Sequence, residues 1–204
     1  SGSKQEMMKQ ALLAKHKGFS SVKIKISQLS LEDAFAVLNN LRKTFSLRVD
    51  ANQRFSFQEA LYFFGQFPSS AFDFIEEPTW EISRLANFSH PFGLDETLEK
   101  DPDFIFENLA NCKAVVVKPM IQGFYITKKL MKCLKKKRIK LIFSSSYESG
   151  LGLMQIARLA AQTKLYPLGL DTQSLFTEDI LTPFPIFSSP ICTCPFPIQI
   201  QTHL

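Results

Sequence analysis

Short apolar runs alternate with amphipathic stretches along most of this chain, and this alternation restricts the possible fold more than any other feature. The apolar runs cover residues 22–26, 47–49, 72–75, 92–94, 114–117, 140–143 and 166–168. Stretches with helical spacing lie before or between them, at residues 4–17, 30–44, 56–67, 101–111, 126–137 and 152–162. Because apolar runs this short suit buried strands, the alternation predicts an α/β fold with βαβ units and a parallel sheet.

Ionisable residues stand at or just after the ends of five successive apolar runs. They are Lys25, Asp50, Glu76, Asp95 and Lys118, at intervals of 25, 26, 19 and 23 residues. Each interval is about one strand–helix unit. In an eight-stranded α/β barrel the carboxyl ends of all strands meet at one mouth, whereas an open doubly wound sheet would spread these residues along an edge. The spacing therefore favours a TIM-like barrel with the five side chains around one cavity.

The apolar runs fall one short of a complete barrel. The first recognisable element is the helical stretch 4–17, which leads directly into the first apolar run. Beyond residue 182 the chain contains five prolines and shows no helical period. We therefore expect a barrel domain at 1–181 that lacks its first strand, followed by an extended tail at 182–204 that packs on the outside or on a partner.

Three of the strand-end residues are carboxylates, and they follow three successive strands. Oxygen donors without histidine or cysteine suit a hard cation, and Asp50, Glu76 and Asp95 are therefore predicted to bind Mg²⁺, with Mn²⁺ as a possible substitute. Mg²⁺ typically binds few carboxylates and leaves coordination positions for water or substrate oxygens. The alternative is that each carboxylate caps a helix or pairs with a lysine.

The lysines predict a second part of the same site. Lys23 and Lys25 share one face of their strand because side chains alternate, and an apolar strand carries two lysines on one face at a cost unless that face is polar. Lys118 comes four strands later and would reach the cavity from the opposite side. A lysine whose pKa is depressed by a neighbouring lysine and a metal could remove the α-proton of a bound carboxylate. The alternative is an edge strand with exposed lysines.

Composition restricts the class of protein. The 204 residues, 45% of them hydrophobic, allow one sizeable core but not two ordinary domains. No apolar run reaches the length of a transmembrane helix, and residues 1–4 do not resemble a secretory signal. The four cysteines do not have zinc-site spacing, and free thiols predict a reducing cytoplasm.

A basic stretch at residues 128–140 contributes much of the net charge of +5. It could bind nucleic acid or an anionic surface. No aromatic or glycine-rich recognition motif accompanies it, so we interpret it as the solvated face of an amphipathic helix and expect no nucleic-acid partner. The side chains predicted to point inward are Ile126, Leu130, Cys133 and Leu134.

Five short motifs appear in order at the spacing of strand–helix units. They are KIK at 23–25, VDAN at 49–52, IEEP at 75–78, GLDE at 93–96 and VVKP at 116–119. In order and spacing they resemble the muconate-lactonizing branch of the enolase superfamily. The resemblance runs from about residue 4 to residue 172. It implies a modified (β/α)7β barrel beneath an α+β capping domain, and the first barrel strand and most of that cap are not recognisable in this chain.

The resemblance also implies roles for individual residues. The metal ligands would be Asp50, Glu76 and Asp95, and Glu77 would lie behind Glu76 in a second layer. The catalytic lysines would be Lys25 as the general base, Lys23 as its neighbour and Lys118 on the opposite face.

Later motifs narrow the resemblance within this branch. SSSYESGLG at 144–152 and GLDT at 169–172 resemble the seventh- and eighth-strand motifs of o-succinylbenzoate synthases. The implied reaction is the Mg²⁺-dependent syn dehydration of 2-succinyl-6-hydroxy-2,4-cyclohexadiene-1-carboxylate to o-succinylbenzoate in menaquinone biosynthesis, through a metal-stabilised enediolate. A small-molecule carboxylate would bind at Asn52, Ser145, Ser146 and Gly169. Two alternatives remain, an N-succinylamino-acid racemase of the same branch and a metal-binding barrel without catalytic activity.

Overall fold

The structure is a computed structural model. It describes residues 2–101, 103–104, 110–163, 166, 168–170, 172, 176–182, 186–188, 191–193 and 199–200. The chain forms two compact units, Ser1–Val115 and Val116–Leu204. Among the described residues, no helix has the length and apolar character that crossing a membrane would need.

Parallel strands in consecutive order build the sheet of the first unit. The strands are β1 (Ser21–Lys25), β2 (Ser46–Asp50), β3 (Phe74–Glu76), β4 (Phe92–Leu94) and β5 (Cys112–Val117), whose last two residues belong to the second unit. The register pairs Lys25 with Asp50 and Asp50 with Glu76. This alignment brings the carboxyl ends of β1, β2 and β3 to the same level, as the spacing of ionisable residues predicts.

Four helices accompany these strands; the first three lie where the sequence predicts them, and α4 is an additional short helix. They are α1 (Lys4–His16), α2 (Leu31–Leu41), α3 (Phe57–Phe64) and α4 (Glu96–Lys100). A serine caps each of the first three, because its hydroxyl accepts a hydrogen bond from a backbone N–H of the first turn. The helix predicted at 101–111 lies mostly outside the described residues.

Phenylalanine rings fill much of the core of the first unit. Phe64 on α3 is fully buried and packs against Phe55, Phe63, Phe72 and Phe88, with ring centroids 5.1–6.2 Å away. All four pairs meet edge to face, an arrangement that the ring quadrupole favours. This cluster holds α3 in place beside the strands that carry the carboxylates.

The second unit contains α5 (Pro119–Lys137), β6 (Lys140–Phe143) and α6 (Gly150–Ala160). Helix α5 begins seven residues before the predicted start, because Pro119 suits a first helical turn. The helical backbone is interrupted at Gly123, where φ is 77°. Leu130 and Leu134 are buried as predicted, whereas the lysines of α5 are exposed. The basic stretch is thus a solvated helix face in the described residues.

The C-terminal segment contains short antiparallel pairs that the sequence analysis did not predict. The strands β7 (Leu181–Thr182) and β10 (Gln199–Ile200) pair with each other, as do β8 (Ile186–Ser188) and β9 (Ile191–Thr193). Prolines between these strands obscure any alternation of apolar and polar residues. Of the predicted strand at 166–168, residue 167 lies outside the described residues, and the parallel bridge to Ser144 is made by Gly169.

Candidate metal centre

Three buried carboxylates stand at the ends of three neighbouring strands in the first unit. Asp50 and Glu76 are the last residues of β2 and β3, and Asp95 directly follows β4. They are 2%, 1% and 4% exposed. Asp95 occupies the N-cap position of α4, yet its side chain makes no capping hydrogen bond, so capping does not explain it.

Two lysines from β1 approach this group of carboxylates. The Nζ atom of Lys23 lies 2.9 Å from Asp50 Oδ2 and 2.5 Å from Glu76 Oε1. The Nζ atom of Lys25 is 4.0 Å from Asp50 Oδ2. Both lysine side chains are nearly half exposed, at 44% and 45%. The predicted shared face is therefore present, and Lys23 rather than Lys25 makes the short ion pairs.

Burial and neighbouring charges shift the pKa values of Glu76 and Lys23. Burial, together with the charges of Asp50 and Asp95, raises the pKa of Glu76 to about 8, although Lys23 opposes the shift. Burial disfavours the charged form of Lys23, but the carboxylates of Glu76 and Asp50 outweigh that effect and raise its pKa. For Glu76, burial and the neighbouring carboxylates together therefore outweigh the Lys23 ammonium.

Two further oxygen atoms beside the group lack hydrogen-bond donors. Asn52 Oδ1 and Glu96 Oε2 are buried atoms with no hydrogen-bond partner among the described residues. Asn52 is tied into the site, because its backbone N–H donates to Asp50 Oδ1 at 3.1 Å and its Nδ2 donates to Glu96 Oε1 at 3.0 Å. Buried acceptors normally find donors, and water molecules held by a cation could supply them.

The donor set fits a hard cation in chemistry and burial. No three His, Cys, Asp or Glu side chains are arranged as metal ligands among the described residues. Instead, the Lys23 ammonium bridges Asp50 and Glu76. Three buried carboxylates with oxygen acceptors beside them are nevertheless the ligand types that Mg²⁺ and Mn²⁺ prefer.

The other predicted site residues belong to the second unit. Lys118 directly follows β5 as the N-cap of α5, and its backbone N–H donates to Gln122 Oε1 at 3.2 Å. Ser145 and Gly169 come together, because the Ser145 N–H donates to the Gly169 carbonyl at 2.9 Å. That Lys118 reaches the carboxylates stays a prediction.

Ser146 lies in the loop before α6, and its donors are engaged within the chain. Its backbone N–H donates to both carboxylate oxygens of Glu148, at 2.9 and 2.8 Å, and its hydroxyl donates to Oε1. Between them, Tyr147 adopts a left-handed conformation with φ 70°. A substrate carboxylate at Ser146 would therefore have to displace Glu148.

The family to which this chain belongs follows from a match over most of its length. The sequence matches the family described as "Enolase C-terminal domain-like" over residues 6–190. The chain belongs to the enolase superfamily. The predicted resemblance to this superfamily is confirmed.

Several curated relatives of this chain are named o-succinylbenzoate synthase. The chain is 40% identical over 161 residues to the o-succinylbenzoate synthase of Vibrio cholerae serotype O1 (strain M66-2), with 72% of this chain and 48% of the relative covered. It is 34% identical over 154 residues to the o-succinylbenzoate synthase of Haemophilus influenzae, with 71% and 46% covered. The chain spans about half the length of these relatives.

Solved structures of enolase-superfamily proteins share the fold of this chain. The L-Ala-D/L-Glu epimerase from Bacillus subtilis superposes with a TM-score of 0.82 at 19% identity, with 98% of this chain and 60% of that chain covered. The N-succinyl Arg/Lys racemase from Bacillus cereus gives 0.82 at 21% identity, with 98% and 58% covered. A dipeptide epimerase from Cytophaga hutchinsonii, complexed with Mg and a dipeptide, gives 0.81 at 19%, with 98% and 56% covered. These likenesses confirm the predicted fold class, the TIM-like barrel of the enolase superfamily.

Several polar residues at the site escaped the sequence analysis. Glu96 and Glu148 occur within the motifs GLDE and SSSYESGLG, which predict no separate role for them, and no sequence pattern indicates a role for Gln53 or Thr97. A carboxylate one residue after a strand-end aspartate was a signal available for Glu96. The contacts of Gln53, Thr97 and Glu148 involve side chains that are distant in sequence or a strained turn. No local sequence pattern predicts such contacts.

Proposed function

We propose that this chain is the barrel of an o-succinylbenzoate synthase, which dehydrates 2-succinyl-6-hydroxy-2,4-cyclohexadiene-1-carboxylate. The observation that carries the proposal is the meeting of Lys23 and Lys25 with Asp50, Glu76 and Asp95 at the ends of four neighbouring strands. The relatives named o-succinylbenzoate synthase support the choice of reaction within the superfamily. In this proposal the reaction serves menaquinone biosynthesis in the cytoplasm.

Asp50, Glu76 and Asp95 would hold Mg²⁺, or Mn²⁺ in its place. The cation, when bound, supplies positive charge that stabilises the negative charge developing on the substrate carboxylate. Lys23 would move aside, since its side chain is nearly half exposed and has room to do so. Asn52 and Glu96 would then accept hydrogen bonds from water or substrate hydroxyl groups near the ligands.

Lys25 is the better candidate for the general base. Lys23 is engaged by two buried carboxylates that favour its charged form, whereas the closest of these contacts to Lys25 is 4.0 Å long. As a neutral amine, Lys25 would take the proton from the carbon that bears the substrate carboxylate. It would then return that proton to the departing hydroxyl group, so that water leaves and the ring becomes aromatic. One residue would thus serve both steps on one face of the ring.

The remaining predicted site residues have these roles in the proposal. Lys118 would stabilise the negative charge that develops after proton removal, by charge or by cation–π contact. Ser145 and Gly169, which are hydrogen-bonded to each other, would contact the substrate together with Ser146. We expect Glu148 to release Ser146 when a substrate carboxylate binds there.

Absorbance spectroscopy tests this proposal directly. Conversion of the cyclohexadiene carboxylate to o-succinylbenzoate should require Mg²⁺, stop in EDTA and resume when Mg²⁺ or Mn²⁺ is restored. Lys25→Ala should lower kcat by at least about 100-fold, as expected for loss of a general base. Lys43→Ala, at an exposed lysine in the turn after α2, is the matched control and should keep wild-type activity.

The same preparation distinguishes the alternatives. Racemisation of an N-succinylamino acid without dehydration would replace the synthase by a racemase, a reaction that a Lys25 and Lys118 pair would also permit. Metal binding without turnover of either substrate would indicate a barrel that binds the cation but is not catalytic alone. Activity that survives EDTA would contradict the role proposed for the carboxylates.

A further inference from the structure

Glu77 is a fully buried carboxylate that has no place among the proposed ligands. It directly follows Glu76 at the end of β3 and is 0% exposed. Two backbone N–H groups, those of Asp95 and Thr97, donate to its Oε1 atom at 2.7 and 2.9 Å. Two side chains donate to its Oε2 atom, the Thr97 hydroxyl at 2.6 Å and Gln53 Nε2 at 2.7 Å.

These four contacts require a carboxylate. An ionised carboxyl group only accepts hydrogen bonds, and each of its two oxygens here receives two donors. An amide in the same place would present an NH₂ group to two donors. Glutamine, the closest substitute in shape, therefore cannot reproduce the arrangement.

The contacts join the chain segments that carry the three proposed ligands. Glu77 is covalently next to Glu76, and its side chain binds the backbone N–H of Asp95 itself. Its own carbonyl accepts the Gln53 N–H at 2.9 Å, three residues after Asp50, and its side chain binds the Gln53 side chain as well. A single residue thus connects the ends of β2, β3 and β4.

Three residues around this connection have left-handed backbone conformations. Asn52, Gln53 and Glu77 have φ values of 48°, 55° and 46°, in the left-handed region that side chains disfavour. Such conformations persist only where surrounding contacts hold them, and they concentrate at functional sites. Here the contacts that hold two of them are the bonds between Gln53 and Glu77.

We infer that Glu77 is a positioning residue, which holds the ends of β2, β3 and β4 so that Asp50, Glu76 and Asp95 are set at the spacing of one cation. The inference rests on the metal centre of the proposed function. It assigns to Glu77 no contact with the cation or the substrate. Its effect passes through the backbone of Asp95 and through the loop after Asp50.

Affinity for Mn²⁺, measured from the electron paramagnetic resonance signal of the free ion, tests this inference without any substrate. Glu77→Gln should weaken Mn²⁺ binding by about 10- to 100-fold, the usual effect of losing a residue that orients metal ligands. Glu81→Gln is the matched control, because Glu81 also accepts a backbone N–H, that of Phe57 at 2.7 Å, but supports no ligand. Its Mn²⁺ affinity should equal that of the wild type.

A second variant covers the case in which Glu77→Gln does not fold. Thr97→Val keeps the shape of a 1% exposed side chain and replaces only its hydroxyl, which donates to Glu77 and accepts a hydrogen bond from Gln53 Nε2. It should bind Mn²⁺ more weakly than the wild type, by less than Glu77→Gln would. Circular dichroism at the temperature of the titration establishes that each variant is folded.

The outcomes separate this inference from the proposed function. Wild-type Mn²⁺ affinity in a folded Glu77→Gln, or in Thr97→Val where Glu77→Gln is unfolded, would overturn the positioning role and leave the metal centre intact. A wild-type chain that binds no Mn²⁺ would overturn the metal centre and the positioning role together. Mn²⁺ binding that Glu77→Gln weakens would support the positioning role even if the wild-type chain failed to dehydrate the cyclohexadiene carboxylate.

Discussion

Lys23→Met keeps a long side chain but removes the ammonium that lies between two buried carboxylates. In the wild-type chain Nζ is 2.9 Å from Asp50 Oδ2 and 2.5 Å from Glu76 Oε1. The two carboxylates are 2% and 1% exposed, so water has little access to replace the lost cation. We therefore expect the variant to be less stable than the wild type when no metal is present.

The size of the loss follows from burial. Removing one partner of a fully buried ion pair costs about 3–5 kcal/mol. Because 44% of the Lys23 side chain is exposed, solvent screens part of the attraction, and we scale the cost to about 2 kcal/mol. In a chain of this length, that loss lowers the melting temperature by about 4–8 °C. Below pH 8 Glu76 can hold a proton, so the loss should be smaller there.

Urea denaturation in EDTA, followed by circular dichroism, measures the free energy of unfolding. Comparing Lys23→Met with the wild type at pH values well below and well above 8 gives the loss of stability in each range. Lys43→Met, at an exposed lysine away from the site, should change the free energy of unfolding by less than about 0.5 kcal/mol. Mg²⁺ should restore more stability to Lys23→Met than to the wild type, since cation and lysine compensate the same carboxylates. Equal stability of Lys23→Met and the wild type above pH 8 would refute this reasoning.

Two further measurements test the electrostatics and the core. In EDTA the wild-type chain should lose stability as the pH rises from 4.5 to about 8, because burial raises the pKa of Glu76 to about 8 and the folded chain holds that proton more tightly than the unfolded chain. The stabilisation that this proton provides is fully present below pH 4.5. Glu76→Gln should remove the pH dependence from the denaturation curves. Phe64→Ala should lower the free energy of unfolding by about 3–5 kcal/mol in thermal denaturation, since its ring is fully buried among four others. Tyr62→Ala, 77% exposed on the same helix, should change it by less than about 0.5 kcal/mol.

For the three carboxylates, the local sequence pattern predicts some features of the site and not others. Asp50, Glu76 and Asp95 each end an apolar run, so their place at the carboxyl ends of strands could be predicted from neighbours in the sequence. Their burial followed as well, because strands this apolar lie inside a parallel sheet. The sequence pattern could not predict that Lys23 lies closer to these carboxylates than Lys25 does. The distances depend on the conformations that two flexible side chains adopt in the folded chain.

Apart from α4 and the C-terminal strand pairs, the order of strands and helices could be predicted from the sequence, and so could the strand ends at which the ionisable residues stand. The period of apolar residues and the serine caps act within a few positions of the chain, so a local reading suffices for them. The folded chain alone reveals that Glu77 accepts hydrogen bonds from donors 18 to 24 residues away and that Glu148 occupies the donors of Ser146. Such contacts depend on register, loop conformation and left-handed residues such as Glu77 and Tyr147, whose cost is offset only once the surrounding chain has folded.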